Sequence, residues 1–112
     1  MGRKPPTVVV FDQIGWVPRF AYGDECQIGE TTGETHGGEL GTGFARMTGA
    51  WIPWTITYDE VLTVFEGRLR IHAGGTVHDL GPKDSIWLPK GTALIYEAEQ
   101  ALVHYAIHPV KF

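Results

Sequence analysis

Trp54-Thr55-Ile56-Thr57-Tyr58-Asp59-Glu60-Val61-Leu62-Thr63-Val64-Phe65-Glu66-Gly67 is the stretch on which the fold turns. It is dense in β-branched and aromatic residues, which favour strands, and it ends at a glycine free to take the positive φ of a tight reversal. Successive strand side chains point to opposite faces, so an unbroken period of two puts Trp54, Ile56, Tyr58 and Glu60 on one side. Glu60 then sits among apolar and aromatic neighbours, on the face expected to be interior.

The same grammar continues outward in both directions. Residues 7–11, 43–47, 51–57, 60–66, 68–72, 76–80, 85–88, 93–97 and 102–108 read as strands, the first of them Thr7-Val8-Val9-Val10-Phe11. Between them lie Ala73-Gly74-Gly75, Gly81-Pro82-Lys83-Asp84, Pro89-Lys90-Gly91 and residues 97–100, all rich in turn formers or polar residues. No segment reads as a helix. Many short strands at spacings of roughly 8–12 residues point to an all-β antiparallel sandwich or barrel. Residues 1–29 are less regular and are expected to form an arm and first strand packed on the barrel or on a second subunit, with residues 30–112 forming the barrel itself.

Composition limits the function classes. With 112 residues there is room for one core. No apolar run approaches the ~20 residues of a membrane span and nothing at the amino end resembles a signal peptide, so a cytoplasmic protein with no membrane partner is expected. Nine basic residues against thirteen acidic, a formal charge of −4, with no basic run beyond Arg3-Lys4, argue against nucleic acid. The lone Cys26 cannot form an internal disulfide, so stability must come from packing, a ligand or a second copy, and a homodimer is the expectation.

The opening stretch resembles the first motif of the cupin superfamily (RmlC-like), in which a His-x-His pair, a Glu and a Gly follow in order. Gly81-Pro82-Lys83-Asp84-Ser85-Ile86-Trp87-Leu88-Pro89-Lys90-Gly91-Thr92-Ala93-Leu94 resembles the second, with its Gly-Asp turn, Pro-x-Gly turn and later His. The resemblance implies a small single-domain barrel or jelly roll, and a metal held by three histidines and the glutamate. Here Trp54 and Ile56 stand in the His-x-His pair and Leu94 in the last position. None of the three offers a lone pair to a metal, and Glu60 alone cannot hold one, so neither metal nor cofactor is expected.

Within the superfamily, Pro53 to Glu60 and Pro89 to Gly91 are similar to segments of the cupin domain of the ethanolamine-utilisation protein Q family, a likeness extending across residues 38–109. That family also lacks the metal histidines, and the resemblance implies for it an acetate kinase activity in ethanolamine-degrading microcompartments. Within these 112 residues no counterpart of the family's amino-terminal region is expected, and no phosphate-cradling glycine loop is read.

What remains is a repurposed cavity. Glu60 and Tyr58 form the expected catalytic acid/base pair, because burial in an apolar barrel raises a carboxyl pKa towards neutrality and a phenol two residues away can donate. Trp54, Ile56, Leu94 and Tyr96 are expected to line the ligand site, with His36 from a loop and His104 from the last strand as further contacts. His104 and His108 share parity and point inward with Tyr105 outward, or the reverse. Trp87 is expected in the core, Asp59 in solvent or at a turn contact, and His72 and His78 exposed beside their hairpin. The alternatives are a non-catalytic ligand-binding or scaffold module, an acetate kinase, and a metal enzyme with relocated ligands such as Glu60, His36 and His104.

Overall fold

The computed structural model describes residues 2–110. Eight strands run in the order β1 (Val17–Pro18), β2 (Cys26–Thr32), β3 (Gly41–Thr55), β4 (Asp59–Gly67), β5 (Leu69–Ala73), β6 (Thr76–Leu80), β7 (Ser85–Leu88) and β8 (Ala93–His108). The described residues contain no α-helix, only short 3-10 turns at Phe11–Gln13, Phe20–Tyr22 and Glu34–His36. Every pairing is antiparallel, and the main path of the sheet runs β1-β2-β3-β8-β4-β7, with β5 joined to β8 and β6 to β5. The expected all-β jelly roll is the fold.

The axis of the molecule is the long ribbon of β3 and β8. Its register is unbroken from Gly41 opposite Ile107 to Thr55 opposite Ala93. One half of β8 is shared with β4 and the other with β5, so the ribbon carries the chain round from one layer to the other. The corner lies at residues 48–50 and 98–101, where the inward face changes parity on both strands. Buried positions are 41, 43, 45 and 47 and then 50 and 52 on β3; on β8 they are 94, 96 and 98 and then 101, 103 and 107. Gly49, at φ 55°, makes the β3 side of this step in a region that side chains disfavour.

The core is apolar and continuous through the fold. Ile52, Ile56, Val64, Leu69, Ile71 and Val103 are completely buried. Burial of such side chains stabilises by about 1.5–3 kcal/mol each, so these positions hold the two layers together. Turn glycines Gly67 and Gly91 have φ of 77° and 91°, as expected where strands reverse.

Four sequence expectations need correction. Residues 7–11 form no strand despite three valines, because no strand pairs with them; Val8 is 88% exposed. The arm instead packs by side chains, the Phe11 ring lying edge-on to Phe44 at 5.0 Å. A strand missed in the sequence, β2, lies in the stretch read as irregular and straddles residue 29, pairing with β3 from Cys26 opposite Met47 to Thr32 opposite Thr42. Residues 93–97 and 102–108, read as two strands joined by a turn, form one strand that bends without leaving its ladder, and 43–47 and 51–57, also read as separate, merge in the same way into β3. Trp87 is 60% exposed, because β7 turns Leu88 inward and leaves Trp87 on the outer face opposite Val61.

Candidate functional site

Inside the layers lies a cavity of about 290 Å³. Its floor comes from β3, β4 and β8 through Ala45, Met47, Trp54, Glu60, Leu62, Tyr96, Tyr105 and Ile107, and its rim from Val17, Pro18, Arg19, Phe20 and Ile28, with Tyr58 at the turn before β4. The expected face of the opening stretch is therefore inward, although β3 ends at Thr55 and β4 begins at Asp59. Asp59 points away and its Oδ1 accepts the backbone N–H of Lys90 at 2.8 Å, the second of the two placements left open for it.

Glu60 is the only charged residue buried among the described residues, 5% exposed. Tyr96, across the cavity on β8, donates its hydroxyl to Glu60 Oε1 at 2.9 Å. Burial pushes the Glu60 pKa up, while the Tyr96 hydrogen bond and the Arg19 guanidinium pull it down, and the balance is about 7. Tyr58 is raised to about 12 by burial and by the neighbouring Glu60 charge, and Tyr105 to about 12 chiefly by burial. Phenols held that high stay protonated near neutrality and act as donors. The cavity thus offers one carboxyl poised to change protonation at neutral pH, surrounded by hydroxyls that do not.

Arg19 was missed in the sequence. Its backbone is pinned, with the N–H donating to the Cys26 carbonyl at 3.0 Å and the carbonyl accepting from the Tyr22 N–H at 2.8 Å. From there the guanidinium lies 4.6 Å from the ring centre of Trp54 and 4.9 Å from that of Tyr96, both cation–π contacts. Phe20 stacks on Trp54 at 5.5 Å. The segment reads as arm in sequence, and only the pairing of β1 with β2 brings it over the cavity mouth.

Tyr105 was also missed as a lining residue, for a physical reason. Counting by twos from Leu94 and Tyr96 would have pointed His104 inward, but the parity step at residues 98–101 turns Tyr105 and Ile107 in and His104 and His108 out. Gly43, opposite Tyr105 in the ladder, leaves the room its ring needs, since a Cβ there would meet the Tyr105 hydroxyl.

The remaining sequence candidates fall elsewhere. Ile56 and Leu94 are buried in the core and do not line the cavity. His104 packs on the outer face against Phe44, 5.0 Å between ring centres, and burial lowers its pKa. His36 sits in its 3-10 turn with Nδ1 accepting the Gly33 N–H at 3.3 Å, beside Arg3, Lys4 and His108 in a separate groove. His78 is exposed as expected, whereas His72 is half-buried with Nε2 2.7 Å from Glu97 Oε1.

The metal that the motif resemblance implies has no fitting donor set in this cavity. Trp54, Ile56 and Leu94 bring no lone pair, and Glu60 is not joined by His36 or His104. Among the described residues no three His, Cys, Asp or Glu side chains gather in a way that could hold an ion.

Comparison with known proteins bears on this geometry. The family model of the ethanolamine utilisation protein EutQ matches residues 18–112. The acetate kinase EutQ of Salmonella typhimurium is 33% identical over 61 residues, 54% of this chain but only 27% of that protein. The chain therefore spans about a quarter of the length of this curated relative. Among solved structures, a putative ethanolamine utilization protein Q from Salmonella typhimurium superposes with a TM-score of 0.86 at 22% identity, covering 93% of this chain and 86% of that one. An RmlC-like cupin from Shewanella frigidimarina gives 0.76 at 12% identity, covering 98% and 96%. The family match begins within β1, at Pro18, and takes in every lining residue of the cavity but Val17, so the chain belongs to the ethanolamine utilisation protein EutQ family.

Proposed function

We propose that the cavity binds a small polar metabolite and exchanges a proton with it through Glu60, with Tyr58 as the partner phenol and Tyr96 fixing the carboxyl. The observation that carries this is the 2.9 Å hydrogen bond from Tyr96 to a Glu60 buried in a mostly apolar cavity. A carboxyl titrating near the working pH is the best compromise between being in the right protonation state and transferring the proton readily. A buried carboxylate kept only for structure has no need of a cavity beside it.

The experiment is a carbon-13 NMR titration of glutamate-labelled protein. Its Glu60 carboxyl is expected to titrate near 7 and to shift when small carbonyl or carboxyl compounds enter. A midpoint of 4–5, unmoved by any of them, would remove Glu60 from the reading. The acetate kinase named for the relatives extends to this chain as a further proposal. It needs groups beyond this cavity, because a transferring phosphoryl is ordinarily clamped by several cations and the lining supplies only Arg19. A ligand-binding module without chemistry shares the same cavity and differs in one outcome, that no product forms.

The homodimer is likewise proposed. Phe65 and Trp87, 52% and 60% exposed, place large apolar side chains on the outer faces of β4 and β7, which a second copy would cover.

A further inference from the structure

The cavity contains a cation as well as an acid. Among the described residues Arg19 makes no ion pair, all three recorded bridges lying elsewhere at Arg68–Asp79, Arg70–Glu97 and His72–Glu97. Its guanidinium is instead carried on aromatic faces at the rim, on a backbone fixed by two hydrogen bonds. Aromatic faces stabilise the charge but leave the edge N–H groups for a partner in the plane, and a guanidinium edge presents two parallel donors that match a carboxylate. A half-buried cation held in place before binding loses little entropy when the partner arrives.

The rest of the lining specifies the partner further. Arg19 is the only cation, so one negative charge is compensated and a dianion would leave a second uncompensated in a poorly hydrated space. Ile28, Met47, Leu62 and Ile107 offer no polar side-chain atom beyond a thioether, so most of the volume suits carbon. A two-carbon acid would leave that wall uncovered.

We propose that the site takes a monocarboxylate with an apolar body of about four to seven carbons, its carboxylate clamped by Arg19 and its chain lying against Ile28, Met47, Leu62 and Ile107. This deepens the small-molecule reading and rests on the same cavity, but makes Arg19 the specificity-determining residue. Each added methylene should strengthen binding about fourfold, the equivalent of burying one CH₂.

The test is isothermal titration calorimetry on the whole chain with acetate, butanoate, hexanoate, hexanamide and hexyl phosphate. Affinity is expected to climb by about fourfold per methylene to hexanoate, with hexanamide and hexyl phosphate each at least about tenfold weaker than hexanoate. Arg19→Met should weaken hexanoate at least about tenfold and leave hexanamide unchanged, and Arg19→Lys, which keeps the charge but not the fork, should fall between. Hexanamide or hexyl phosphate binding as well as hexanoate, a flat chain-length series, no binding by any acid, or indifference to both Arg19 variants would each overturn the proposal. A bound carboxylate should also hold Glu60 protonated, so hexanoate affinity should fall above pH 7 in the wild type and not in Glu60→Gln. Arg19-dependent binding without that pH dependence would support the carboxylate site while sinking the proton-transfer role of Glu60.

Discussion

The hydroxyl of Tyr96 on β8 and the carboxyl of Glu60 on β4 meet at 2.9 Å inside the barrel, both residues no more than 5% exposed. Neither is a neighbour of the other in the ladders, since Tyr96 pairs with Ile52 and Ile71 and Glu60 with Ile107 and Leu88. The contact is made across the interior, so it depends on the two layers closing.

A stability signature follows from the raised Glu60 pKa. The folded state holds the proton more tightly than the unfolded chain, so the contribution is full below pH 4.5 and is lost as pH rises to about 7. The size is about 3 kcal/mol at 1.36 kcal/mol per unit. Glu60→Gln, which keeps an acceptor for Tyr96, should remove this slope. Chemical denaturation at pH 5 and pH 8 should show wild type losing about 2.5 kcal/mol more than the variant between the two.

Tyr96→Phe removes the donor that pulls the Glu60 pKa down, so the Glu60 midpoint should rise above 7. It should also destabilise the protein by about 1–3 kcal/mol at pH 8, where the carboxylate is charged and loses its buried partner. Carboxyl NMR and denaturation on one sample check both.

Ile56→Ala and Leu94→Ala test whether two positions that the motif resemblance aligns with metal ligands serve the core or the cavity. Each should cost about 2–5 kcal/mol as a core truncation while leaving the Glu60 midpoint within a few tenths of the wild-type value. A large shift in that midpoint with little loss of stability would return these residues to the site.

For self-association, sedimentation velocity should give twice the chain mass for the wild type and the single mass for Phe65→Glu with Trp87→Glu, with folding unchanged by circular dichroism. A wild type that stays monomeric at high concentration would contradict the dimer.

The barrel and its inward-facing Glu60 were legible because alternation is local: Trp54, Tyr58 and Glu60 line the cavity as a period of two requires. Two conditions hid the rest. The parity step on β8 depends on how β3 and β8 bend together at residues 48–50 and 98–101, so the orientation of His104 against Tyr105 was undecidable from β8 alone. Arg19 reaches the cavity only because β1 pairs with β2 and β2 with β3, and a two-residue strand leaves no periodicity to read. Trp54 lines the cavity, whereas Ile56, two residues further on, lies past the end of β3 and fills the core.

The most direct test of the account is the pH titration of the Glu60 carboxyl carbon, assigned by comparison with Glu60→Gln. The account predicts a single inflection near pH 7, moved upward by Tyr96→Phe. An inflection at the ordinary value near 4.5, unchanged by the loss of the Tyr96 hydroxyl, would contradict it.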